Sequence, residues 1–373
     1  MTMPSNIVGY EWALEGTAQV VYETGDNHIH EMVSGRDGRW KDDDVTRVAG
    51  GPELESAILV GYAWPDGHTK QIAYTSPMDA SGHIHELVTR QGNTWSYADL
   101  MKQTIVVPPS DGNALAGFAW KAGRTKQVVY ISGDGHIHEL AGGVVSQWYH
   151  TDITQLTGAP IAEGSLLAGY PFEKKRTKQV VYTSGDGHIH ELMMEVGGPW
   201  HHIDLMEVTN APPADGSALV GYAWENRGTK QVVYTGNDGN IYELEGRMDG
   251  RWRYADLMQL TNAPLPGGSA LAAYAWETGN TKQVVFVGRD RHVHELTMDA
   301  NGSWSHIDLT HLLRAPDAGN DVIVGYEWSA QFAKHVVYLD KKENPHIQSL
   351  MFRSGSSWQH VDLTELTGAP EIV

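Results

Sequence analysis

The side chains of this 373-residue chain best suited to chemistry come in sets. One glutamate recurs in the segment HIHEL and its variants, at Glu31, Glu86, Glu139, Glu191, Glu243 and Glu295, with Ser349 in its place once. One lysine recurs in Thr-Lys-Gln, at Lys70, Lys126, Lys178, Lys230, Lys282 and Lys334, with Ala18 in its place once. A recurring buried charge must be paired, because an isolated ion is too costly to desolvate. The two exceptions select the partner. Pairing within a repeat would leave one orphan in the first repeat and one in the last. Pairing Glu of one repeat with Lys of the next completes six junctions and leaves the seventh without either group. The expected pairs are therefore Glu31–Lys70, Glu86–Lys126, Glu139–Lys178, Glu191–Lys230, Glu243–Lys282 and Glu295–Lys334. Such a pair is either a structural ion pair or the polar wall of a binding site.

A His-x-His pair precedes five of the six glutamates, at His28/His30, His83/His85, His136/His138, His188/His190 and His292/His294. Residues two apart in a strand share a face, so each pair can grip one metal ion. Two ligands do not make a site, and no third is evident nearby. Asn240/Tyr242 and His346/Gln348 break the pattern with hydrogen-bonding groups, so hydrogen bonding is the better reading, and neither a metal nor a cofactor is implied. The turns at Asp134, Asp186 and Asp238 lack the further acidic positions of a calcium loop.

Tryptophan supplies two more sets, which together account for all 13. The first comprises Trp12, Trp64, Trp120, Trp224, Trp276 and Trp328, with Phe172 standing in once, and reads as packing between neighbouring units. The second comprises Trp40, Trp95, Trp148, Trp200, Trp252, Trp304 and Trp358, and follows a glycine-rich turn in most copies. It is equally suited to packing and to stacking on the apolar face of a sugar ring.

All these sets ride on one repeat. The Gly-Tyr pair or its variant that opens each unit falls at Gly9, Gly61, Gly117, Gly169, Ala273, Gly221 and Gly325, at a spacing of 52 residues, and 56 once. The expected units are 6–56, 57–113, 114–165, 166–217, 218–269, 270–321 and 322–373. Each carries four short stretches rich in β-branched and aromatic residues, divided by turn signals. In the fourth unit these are LLAGYPF, KQVVYTS, HIHEL and Trp200 to Leu205, followed by a loop through Pro212 and Pro213. Four strands per unit and seven units predict an all-β, seven-bladed β-propeller forming a single domain, with helix a minor component.

Composition narrows the function. A formal charge of −19 repels phosphate backbones and anionic lipid, which argues against nucleic acid and membrane partners. No apolar run approaches the length of a membrane span, and the first residues lack a secretory pattern, so a soluble protein is expected. Cysteine is absent, which removes disulfides and thiolate chemistry. No nucleophile elbow, phosphate loop or helical His-Glu metal motif is present, and the acidic runs Asp42-Asp43-Asp44 and Glu53-Leu54-Glu55 read as solvated surface. An enzyme is not expected.

The segments QVVYTSGDG, HIHEL, GGPW and NAPPADGS make the repeat resemble that of the fucose-binding β-propeller lectins of fungi and bacteria. The resemblance covers the whole chain and implies sugar sites between adjacent blades. It implies that Glu31, Glu86, Glu139, Glu191, Glu243 and Glu295 hold hydroxyls while Trp95, Trp148, Trp200, Trp252, Trp304 and Trp358 of the following repeats pack on the sugar. The family's arginine is missing: its strand reads Lys-Gln-Val-Val-Tyr, and lysine brings the charge without the bidentate fork. Fucose preference therefore does not carry over. The expected sites combine Glu and His (His30, His85, His138, His190, His294) of one repeat with Lys and Trp of the next. The partners expected are glycans, bound at up to six sites that gain by avidity. A homo-oligomer is compatible with this reading. The rival is a protein-interaction propeller whose Glu–Lys pairs are structural.

Overall fold

The computed structural model of the protein describes residues 7–54, 58–75, 82–92, 94–104, 107–144 and 148–372. The expected unit limits at residue 6, at 56–57 and at 373 lie outside them, as do the first residues read for a secretory pattern.

The chain forms seven four-stranded antiparallel sheets, each built from consecutive strands and paired in chain order. This is a seven-bladed β-propeller. In the fourth blade the strands are Leu167–Phe172, Thr177–Thr183, Ile189–Glu195 and Trp200–Asp204. The Ser184–Gly187 turn closes through Ser184 N–H donating to the His188 carbonyl, and Gly187 adopts φ 78°, a conformation that glycine enters without strain. The first strands of successive blades touch one another around the ring, including the last with the first, so they line the axis and the fourth strands lie outermost.

The opening Gly-Tyr pair has a steric cause. A Cβ on Gly61 would sit 2.6 Å from Cε1 of Tyr10, and one on Gly117 would sit 2.7 Å from Cε1 of Tyr62. In every blade but the sixth, which has Ala273, the glycine thus makes room for the aromatic ring of the blade before it. That ring is buried at each such junction, including Phe118 before Gly169. The hydrophobic clusters accordingly straddle junctions rather than filling blades. One joins Tyr10, Val21 and Ile29 of the first blade to Leu59, Ile72, Tyr74 and Leu87 of the second.

Two local expectations need correction. The fourth strand ends at Asp204, and Leu205–Thr209, read as strand and loop, is a helical turn. Asp204 caps it by accepting from the N–H groups of Met206 and Glu207, and Asn210 ends it in the left-handed conformation. The same turn follows strand four at Val45–Ala49, Ile153–Thr157, Leu257–Thr261, Leu309–Leu313 and Leu363–Thr367. Asp42 and Asp44, read as solvated, are largely buried and bonded, to His30 and Tyr22 and to His28 respectively. No described helix is long and apolar enough to cross a membrane.

Candidate functional site

Strand register decides which side chains can meet. In the first blade Glu31 lies opposite Val21 and Asp43, and His30 lies opposite Tyr22 and Asp44. Successive strand residues point to opposite faces, so Glu31 and His30 leave the blade on different sides. The face with Glu31 also carries Tyr10 and Trp12 and packs on the second blade. There it meets the face that carries Lys70 and Trp95.

Every lysine of the set bonds the glutamate of the preceding blade. Nζ–Oε distances are 2.5 Å for Lys70–Glu31, 2.6 Å for Lys126–Glu86, 2.6 Å for Lys178–Glu139, 2.6 Å for Lys230–Glu191, 2.7 Å for Lys282–Glu243 and 2.6 Å for Lys334–Glu295. All twelve groups are buried, with Lys282 and Glu191 at 0 % exposure and the most open, Lys126, at 8 %. Burial pushes the Glu31 and Glu243 carboxyls up against the pull of their lysines, and pushes the Lys230 ammonium down against the pull of Glu191.

Aromatic rings flank each ammonium. Nζ lies 5.2 Å from the ring centre of Trp95, 4.9 Å from Trp148, 4.9 Å from Trp200, 5.0 Å from Trp252, 5.4 Å from Trp304 and 5.1 Å from Trp358. On its other side Lys70 faces Trp12 at 5.3 Å, and Trp64, Trp120, Trp224 and Trp276 serve likewise. Ring faces are the negative pole of the aromatic quadrupole, so each pair of indoles stabilises the cation between them. The two tryptophan sets then divide. The first set is buried throughout, whereas the second, Trp148 excepted, is partly exposed. At the first junction Trp12, Glu31, Lys70 and Trp95 line a cavity of about 390 Å³. At the fifth, Trp304, Glu243, Glu245 and Arg253 line one of about 430 Å³, beside another of about 490 Å³. Glu245 there bonds Arg253 at 2.9 Å and Arg247 at 3.2 Å. Burial raises its carboxyl, yet Lys282 and Arg253 outweigh that and hold it below the usual range.

The histidines do not join this group. His85 shares its face with Lys70 but lies opposite Tyr74, whereas Thr89 lies opposite Lys70. Four residues of strand separate the two positions, roughly 13 Å. The expectation that Glu and His of one repeat share a site is thus corrected for His30, His85, His138, His190 and His294. Each instead bonds within its own blade. His30 meets Asp42 at 2.8 Å and His85 meets Tyr97 at 2.9 Å. His138 meets His150 at 3.0 Å, His190 meets His202 at 2.9 Å and His294 meets His306 at 3.0 Å.

The sequence reading missed a second set of carboxylates. Glu173 accepts from the N–H groups of Lys121 and Ala122 in the preceding blade, at 2.6 and 2.8 Å. Glu225 does so for Glu173 and Lys174, Glu277 for Glu225 and Asn226, and Glu327 for Glu277 and Thr278. Glu11 reaches Ser329 and Ala330 across the closing junction. The signal was an acidic residue beside the first-set aromatic, before it in Glu11-Trp12 and after it in Trp224-Glu225.

No protein-family model matches the chain, and no curated protein matches it. Solved structures do. A lectin from Burkholderia pseudomallei superposes with a TM-score of 0.73 at 14 % identity, over 100 % of this chain and 99 % of that one. The lectin of Aleuria aurantia, described as a six-bladed β-propeller with a novel fucose recognition mode, gives 0.55 at 14 % identity, over 96 % and 94 %. A protein from Arthrobotrys oligospora gives 0.56 at 12 % identity, over 96 % and 86 %. The chain shares the propeller fold of these proteins.

Proposed function

We propose that the protein is a multivalent carbohydrate-binding lectin whose glycan sites lie at the six paired junctions, from that of blades one and two to that of blades six and seven. The observation that carries this reading is the recurrence, at five of the six junctions, of a partly open indole beside a fixed carboxylate and ammonium. A sugar ring has an apolar C–H face for the tryptophan and a rim of hydroxyls that both donate and accept. Glu supplies acceptors, Lys supplies donors, and pairing holds both still before a ligand arrives. Lectins on the same propeller fold support the reading. Each site is small and binds weakly alone, and six on one disc gain by avidity on a displayed surface. Lysine in place of a guanidinium fork argues for a broader hydroxyl preference than a fucose-specific site has.

One observation favours the rival. The Glu–Lys groups are buried so completely that they serve equally as structural cement in an interaction scaffold. A glycan array probed with the intact chain separates the two. The lectin reading expects binding to displayed glycans that falls stepwise as Trp95, Trp200 and Trp252 are changed to Ala, in variants whose unfolding transitions stay near wild type. An array without hits favours the scaffold.

A further inference from the structure

The His-x-His strands stopped at two ligands in the sequence. Folding brings two more to them. In the third blade His138 pairs in register with Asp152 and Leu140 pairs with His150, so His136, His138, His150 and Asp152 share one face of two neighbouring strands. His136 Nδ1 lies 2.8 Å from Asp152 Oδ2, and His138 Nδ1 lies 3.0 Å from His150 Nε2. Donor atoms of His136, His138 and Asp152 all fall within 4.8 Å of one another. Tetrahedral zinc with Zn–N near 2.0–2.1 Å sets its ligand atoms roughly 3.3 Å apart, so a small opening of these contacts admits the ion.

The surrounding bonds fix the ring state that a ligand needs. Ser132 Oγ donates to Asp134 Oδ1 at 2.5 Å, so it accepts from His138 Nε2–H at 2.9 Å. That leaves His138 Nδ1 as a lone pair aimed at the cluster. Ser184 and Asp186 repeat the device for His190, and Asp290 accepts directly from His294. Outer hydrogen bonds of this kind orient metal-ligating histidines and raise their basicity.

Comparison among blades marks where the set is complete. Three His and one Asp occur together in the third, fourth and sixth blades: His136/His138/His150/Asp152, His188/His190/His202/Asp204 and His292/His294/His306/Asp308. In the first, second and seventh blades a basic side chain sits on the equivalent Asp: Arg47 on Asp44, Lys102 on Asp99 and Lys342 near Asp362. Among the described residues no Lys or Arg pairs with Asp152, Asp204 or Asp308. The fifth blade has Asn240, Tyr242 and Tyr254, none of them a ready zinc ligand. Among the described residues the full ligand set thus occurs only in blades whose Asp has no basic partner, and of these the third blade alone brings both histidines of its His-x-His pair and that Asp within 4.8 Å of one another.

We infer that the third blade binds one divalent transition-metal ion of the zinc class through His136, His138 and Asp152, with His150 beside them as the fourth ligand, independently of the junction sites. The intact chain without a histidine tag, stripped with chelator, is titrated with zinc chloride by calorimetry and with cobalt(II) as an absorbing probe. The expected result is one equivalent per chain and the intense visible bands of tetrahedral cobalt. His150→Tyr removes it, whereas His202→Tyr and His306→Tyr leave it in place. These variants keep their fold, because Tyr97 and Tyr254 already occupy that position, and circular dichroism checks it. Absence of saturable uptake, or the equivalent retained unchanged in His150→Tyr, overturns the inference.

Discussion

At the six paired junctions the aromatic walls enclose a lysine held by a glutamate, while at the closing junction they enclose a histidine. Trp328 and Trp40 stand where Trp12 and Trp95 stand between the first two blades. Ser349 and Ala18 replace the Glu and the Lys. His335 fills the space, stacked on Tyr326 at 5.3 Å and 14°, with Trp328 at 5.4 Å and Trp40 at 6.2 Å. Its Nδ1 meets Ser349 Oγ at 3.3 Å. In the other six repeats this position is a glutamine whose Nε2 donates to a threonine two residues before it, as Gln179 does to Thr177 at 2.5 Å. Repeat seven changes that threonine as well, to Ala333. Four positions have therefore moved together. Aromatic walls and the ring of first strands are common to both kinds of junction, and their content can be exchanged only as a set.

The largest effect is expected from breaking a set in half. Lys230→Met leaves Glu191 buried without its cation, which costs about 3–5 kcal/mol for a buried pair. Urea unfolding measures it. The comparison sharpens when the closing-junction residues are moved into the same place as Thr177→Ala, Gln179→His, Glu191→Ser and Lys230→Ala. That fourfold variant is expected to lose about 2 kcal/mol less than Lys230→Met, because no charge is left uncompensated. If the fourfold variant is the less stable one, the histidine does not substitute for the ion pair.

This contrast also explains what was readable from the chain. Ala18 and Ser349 gave the pairing between blades, since only one pairing scheme puts both gaps at one junction. Seven copies of the Gly-Tyr pair or its variants gave the propeller. Side-chain direction was harder. His30 and Glu31 are neighbours in the chain, and only strand alternation sends them to different junctions. The helical turn after strand four was hidden because five residues hold too little period to register, although Asp204 and Asn210 are ordinary caps. His150 and Asp152 were overlooked as ligands because they belong to another strand, and only the register of strands three and four makes them neighbours of His138.

Acid is the next way to set the two kinds of junction apart. Burial, helped by the positive charge of Arg353, lowers His335 to about 3. An unfolded histidine takes up its proton near pH 6.5. Between roughly pH 6.5 and 3 the unfolded chain therefore binds the extra proton, and stability falls as pH falls. His138, lowered to about 4 by burial, acts in the same direction. His335→Gln is expected to make the decline of stability below pH 6.5 shallower while leaving stability at pH 8 changed by less. An unchanged slope would mean that the closing junction admits the proton without opening.

The smallest effect tests whether the closing junction leans on its rim. Glu277 caps backbone N–H groups at a paired junction, and Glu11 caps Ala330 N–H at the closing one. The closing junction also has Trp328 Nε1–H donating to the Gly16 carbonyl at 3.0 Å, and a bridge between Thr24 and Ile372. Those added contacts offset the missing ion pair, so the rim should matter equally in both places. Glu277→Ala and Glu11→Ala are each expected to cost about 1.5–3 kcal/mol, the range for hydrogen bonds to charged groups. Chemical denaturation of both variants measures the difference. A clearly greater loss for Glu11→Ala would show that the seventh junction is held at its edge, with His335 filling space and contributing little to closure.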